Sequence, residues 1–208
     1  NQSVSIIAPR GVHAGISVPL SAGAGVAVFG NDLRVVLEGL TIVQGVGSAN
    51  GIRLSGDNST LYVSRCSIEG LPIGVAVDSE TGNLTLYASD VEVRGGLFGI
   101  QLEGAGVHAM LNRVVLEGHQ TGLYVVAAST VSVRDSVIAG NQFGIELAAA
   151  ASLTVEDSLI ADNGFYGIRA TSVGTTTADL RGVTIARNGQ YGALANSSSA
   201  GGNVVMTI

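Results

Sequence analysis

The 208-residue chain has no tryptophan, one cysteine, three prolines and no lysine, since all of its ten basic residues are arginine. Each scarcity closes off a reading. The single cysteine, Cys66, rules out an internal disulfide. With 12% charged residues, 4% aromatics and 30 glycines, the composition suits tight repetitive packing better than a helix-rich globule. No apolar run reaches the ~18–20 residues needed to span a bilayer, and no signal peptide begins at Asn1. A formal net charge of −6 without any basic cluster argues against nucleic acid and against anionic membrane as partner.

What is present is a repeat. The stretch Ser152–Ala170, SLTVEDSLIADNGFYGIRA, is echoed by Ser129–Leu147 and by Thr176–Ala195. Aligned on its Gly-Ile piece, the chain gives the ladder Val4, Val26, Ile52, Val75, Ile100, Leu123, Ile145, Ile168 and Ala193. The residue before each is glycine except Ser3, so the backbone there must come closer to something than a side chain permits. A second apolar column follows two residues later (Ile52/Leu54, Ile145/Leu147), which is the period of a strand with one face buried. A second strand runs through Val35/Leu37, Leu61/Val63 and their repeats, and a third through Ile16/Val18, Leu40/Ile42 and theirs. One such unit cannot bury its own apolar face, so copies must stack. The expected fold is all-β: a single solenoid domain over residues 1–208, three strands per coil and about eight to nine coils.

The charges follow the same register. One corner column reads Arg65, Asp90, Arg113, Asp135, Asp157, and others pair Glu146 with Arg169 and Asp162 with Arg187. Coils about 4.8 Å apart bring opposite charges together, and only Asp135 over Asp157 breaks the alternation. An Asn column, Asn141, Asn163 and Asn188, marks a turn where amides can bond along the stack.

The apolar-x-apolar, Asp-Ser, Ile, Asn, Gly-Ile series of Val131–Leu147 resembles the right-handed parallel β-helix repeat proteins, of pectate-lyase-like superfamily architecture. The opening SIIAPRGVHAGISV also resembles that of uncharacterised bacterial members. The right hand is what the resemblance implies. It implies no one activity, because this scaffold carries lyases, hydrolases, epimerases, adhesins and spikes.

Candidate chemistry is thin. Lyases of this architecture need grouped carboxylates for Ca²⁺ with an Arg or Lys base, and related hydrolases need clustered Asp. Here most acids are matched to an Arg, and Glu156-Asp157 is the only adjacent acid pair. Asp57, Asp78, Glu80 and Glu103 share one loop side, where they read as solvated acids ahead of a loose Ca²⁺ site, and the three His residues show no metal-ligand spacing. No catalytic residue, metal or cofactor is assigned. Cys66 falls in an inward column with Val91, Val114 and Ser136, as a reduced buried thiol. Phe98, Phe143, Tyr166 and Tyr191 share a face with the Ile residues by alternation, which predicts core stacking.

Two outward stripes stand out. Arg53, Ala76, Gln101, Tyr124, Glu146 and Arg169 form a polar face with one ring, which reads as ordinary solvated sheet or as a candidate saccharide surface. Val36, Tyr62, Tyr87 and Met110 form an apolar run where solvent should lie, a candidate contact with another chain. The strands holding Val4, Val205 and Thr207 read as uncapped coil ends, expected to associate or to continue into a slightly longer helix. Two functions from different classes stay open. The first is a non-catalytic extracellular or cell-surface scaffold, spike or filament component associating with itself or another protein chain. The second is a polysaccharide-binding or polysaccharide-active protein.

Overall fold

A computed structural model describes residues 3–19, 22–45, 49–79, 83–172, 174–197 and 202–207. Glu80 and Ile208 lie outside the described residues. All regular structure among them is strand, and every strand pairing is parallel, from one coil to the next. The Gly-Ile sheet climbs through Ala24–Phe29, Asn50–Ser55, Ile73–Asp78, Phe143–Leu147, Tyr166–Ser172 and Tyr191–Ser197. The second sheet includes Arg34–Glu38, Thr60–Ser64, Ser129–Arg134 and Ser152–Glu156; the third includes Leu40–Gln44, Ser67–Glu69 and Val137–Ala139. In the middle of the stack, Thr85–Leu102 and Val107–Val125 each run through all three sheets without a break. The chain is a right-handed parallel solenoid of about seven turns.

Alternation decides which residues enter the axis. Along the second sheet Leu37, Leu61, Leu86, Leu111 and Val133 are fully or almost fully buried, as are Ile42, Ile68, Leu116 and Ile138 along the third. Each such side chain contributes ~1.5–3 kcal/mol by leaving water. The glycine column is required by closeness. A Cβ on Gly122 would come 2.8 Å from the Gly144 carbonyl oxygen and 2.9 Å from Ile138 Cγ2.

Two expectations need correction. Val4–Ile7 does not start the Gly-Ile column: it pairs with Val35 to Glu38 in the second sheet. The missing glycine at Ser3 was the sign of this, and the shift leaves about seven turns instead of eight to nine. The aromatic column is not in the core either. Phe98, Phe143 and Tyr166 are half-buried and Tyr191 is 54% exposed. Alternation slips at each Gly-Ile corner, where Gly144 and Ile145, or Gly167 and Ile168, are buried in succession. The residue before the glycine is thereby turned outward.

The corner between the second and third sheets is held by residues in the left-handed region: Arg65, Asp90, Arg113, Asp135 and Asp157, with φ of 52°, 55°, 52°, 49° and 47°. Asp tolerates that conformation better than most side chains. The Arg residues alternating with it hold it only because the surrounding ladders fix the turn.

Candidate functional site

The outward face of the Gly-Ile sheet gathers more chemistry than any other surface. Register places Arg53, Ala76, Gln101, Tyr124, Glu146 and Arg169 in one column. The face is not the solvated stripe expected from sequence. Ala76, Gln101 and Glu146 are only 7%, 6% and 8% exposed, and Arg169 is bonded to the Glu146 carboxylate. Phe98 stacks on Tyr124 at 4.8 Å between centroids, Phe143 on Tyr166 at 5.6 Å, and Tyr166 on Tyr191 at 5.9 Å. Phe165 adds a further ring 5.4 Å from Phe143. The Arg169 guanidinium lies over Phe143 at 4.9 Å while bonding Glu146. Arg53 bonds Asp78 at 2.8 Å and covers Phe29.

Phe98, Phe143, Tyr166 and Tyr191 are the residues that sequence reasoning misplaced, by carrying strict alternation through the corner. The signal that would have found them is their own position, one residue before a glycine that must itself point inward. Since stacked rings cover each other's faces, the column offers ring edges and Tyr hydroxyls, with open ring surface at Phe165 (40% exposed) and Tyr191. Two buried polar atoms on this face have no hydrogen-bond partner, Gln101 Oε1 and Arg169 Nε. Burial raises the Tyr124 hydroxyl above its ordinary pKa, and the nearby Glu146 carboxylate adds to that.

Elsewhere several carboxylates are bound to guanidinium groups. Glu38 bonds Arg65, Glu117 bonds Arg94, and Glu156 bonds Arg134. Asp90 receives both Arg113 Nε (2.7 Å) and Nη2 (2.8 Å), and Asp162 is held the same way by Arg187. These bonds hold the Asp90, Glu156 and Asp162 carboxyls below their ordinary pKa. A carboxylate kept ionised by a bidentate arginine is a poor general acid. The expected pairing of Arg65 with Asp90 is replaced by Arg65 with Glu38, one coil lower. Among the described residues, no three or more His, Cys, Asp or Glu groups gather as a metal site. Asp78, expected as a solvated loop acid, is tied to Arg53; Glu103 accepts a bond from Gln101.

The second stripe is in register as Val36, Tyr62, Tyr87 and Met110. Tyr62 and Tyr87 stack at 4.8 Å with ring planes 5° apart, Arg34 sits over Tyr62, and Met110 is 42% exposed. Val4 and Val205 are 48% and 45% exposed, and Thr207 is exposed; all three belong to the second sheet. Cys66 is buried, and burial pushes its thiol pKa up, as suits an inert side chain.

Comparison with known proteins agrees with this architecture. The family model described as "Right handed beta helix region" matches residues 16–177 and 80–207. No curated protein matches the chain. Among solved structures, the pectate lyase Pel9A superposes with a TM-score of 0.51 at 10% identity, over 92% of this chain and 68% of that one. At that identity the likeness is one of fold.

Proposed function

Because the chain belongs to the right-handed β-helix region family, we propose that it is a non-catalytic scaffold whose Gly-Ile face binds polysaccharide outside the cell or at its surface. The observation that carries this reading is the convergence of Gln101, Tyr124, Glu146 and Arg169 with a bordering row of rings on one sheet face. Sugars are recognised by this mixture: amides, carboxylates and guanidinium groups for hydroxyls, and ring surface for C–H faces. A fold shared with a pectate lyase makes polysaccharide the first ligand class to test. The non-catalytic part of the reading is supported by Glu146 itself, since Arg169 occupies its carboxylate.

Affinity electrophoresis in gels carrying acidic or neutral polysaccharide provides the test. The parent protein should be retarded by at least one of them, and Tyr124→Ala or Arg169→Ala should lose most of the retardation. Reducing-end and unsaturated-product assays should stay at background with and without Ca²⁺. Absence of retardation by every polysaccharide would overturn the binding role. Turnover that disappears in Glu146→Gln would overturn the non-catalytic one.

A second reading concerns the Val36–Met110 stripe, favoured by its stacked Tyr62–Tyr87 pair and exposed Met110. There another protein chain would cover apolar surface that the scaffold leaves open.

A further inference from the structure

The corner between the second and third sheets carries both a groove and a knob. The groove lies where the charge alternation fails. Asp135 and Asp157 sit one above the other, and neither carboxylate accepts a hydrogen bond or joins an ion pair with any described residue. Their nearest cations are committed, Arg113 to Asp90 and Arg134 to Glu156. Between and beside them lie Val137 and Leu159, half-exposed apolar residues on an outward face, and the Asp157 carboxylate rests against Gly182, where a Cβ would come within 2.5 Å of its Oδ1. Together with Ser136, Ser158 and Thr184 they line a shallow depression that is open to solvent.

The knob is the segment between Val4–Ile7 and Ala14–Val18. Where the next coil turns this corner with Gly39 alone, the first coil uses residues 8 to 13. Its tip is a tight turn closed by the Val12 N–H donating to the Pro9 carbonyl at 3.0 Å, with Gly11 at φ 84°. Arg10 is exposed and makes no ion pair or ring contact with any described residue; Val12 beside it is 56% exposed. A cation next to an apolar side chain is what a groove of two carboxylates and two aliphatic residues would accept.

Knob and groove share one edge of the solenoid, five to six coils apart, or about 25 Å at sheet spacing. We propose that two copies pair antiparallel along this edge, the Pro9–Val12 turn of each seating between Asp135 and Asp157 of the other. Antiparallel pairing makes the two contacts equivalent and closes the assembly as a two-fold dimer. The contact is small and charge-based, so association is salt-sensitive.

Sedimentation equilibrium on the intact chain tests this. The weight-average mass should rise toward that of a dimer with concentration and fall back in 0.5 M salt (roughly a 4–5 Å Debye length). Arg10→Glu should be monomeric. So should Asp135→Asn/Asp157→Arg, which keeps the fold because Arg65 and Arg113 already occupy this corner column; its melting temperature should equal or exceed the parent's. Mixed together, the two monomeric variants should form a one-to-one dimer, since each then meets its opposite charge at both contacts. A parent chain that stays monomeric, variants that dimerise like the parent, or a mixture that fails to pair would each overturn the proposal.

Discussion

His119 occupies, in its coil, the place that Asn141, Asn163 and Asn188 take in the coils that follow. Its backbone N–H donates to Asn141 Oδ1 at 2.9 Å, and its ring Nε2 lies 3.1 Å from the Val93 carbonyl, so that nitrogen carries the proton. Nδ1 is buried without a partner. Burial holds the imidazole pKa below its ordinary value, only partly offset by the Val93 bond. The unfolded chain therefore takes up a proton below about pH 6.5 that the folded chain refuses. Stability from this group is present above that pH and is lost as pH falls through the interval beneath it. Urea midpoints measured at pH 7 and pH 5 should show the loss. His119→Asn should remove that part of the pH dependence, because an amide can make the same Val93 bond without titrating. An unchanged pH dependence in the variant would show that the loss comes from other groups.

The asparagine column shows how an element one residue wide can tie coils together. Asn163 Oδ1 accepts from both the backbone N–H and the side-chain amide of Asn141, each at 3.1 Å, while its own amide donates to Asn188 and to the Ile138 carbonyl. Asn163→Ala strands several of these groups in a buried corner, each at ~1–3 kcal/mol. Chemical denaturation should show a loss of about 2–5 kcal/mol, against a smaller one for Asn188→Ala, whose side chain is half-exposed. This column, the alternating apolar residues and the Gly-Ile ladder were legible in the sequence, because each repeats one local requirement at fixed spacing. The pairing of Arg94 with Glu117 was legible in the same way, but its second bond to Glu92 and the partner of Arg65 were not, since a guanidinium can reach a coil above, a coil below or a residue two places along its own strand. Nor was the outward turn of Phe143 and Tyr166, because a period of two holds within a strand and lapses where a buried glycine and the next residue both face the axis. That Gln101, Tyr124 and Glu146 are neighbours in one column was legible from their spacing, whereas the burial of Gln101 and Glu146 was not.

For the whole molecule, the decisive feature is that, among the described residues, each coil pairs only with the coil before it and the coil after it. No described strand reaches across the stack, so cohesion is a sum of similar neighbour terms rather than one closed network. The inter-coil hydrogen bonds all lie along the axis, and this gives the protein a mechanical direction. Stretched between Ser3 and Thr207, it should load one end coil at a time, since peeling a coil breaks bonds in sequence and leaves the rest of the stack unloaded. Each release frees about 23 residues, close to 75 Å of extended chain. Optical-tweezer traces should therefore show a train of similar low-force steps of about that length. A single large rupture would mean that the coils fail together. Pulled across the axis, between positions on opposite sheets of one coil, the same molecule must shear whole strands against both neighbours at once and should resist far more strongly. It would behave as a ratcheted tape in one direction and a stiff rod in the other.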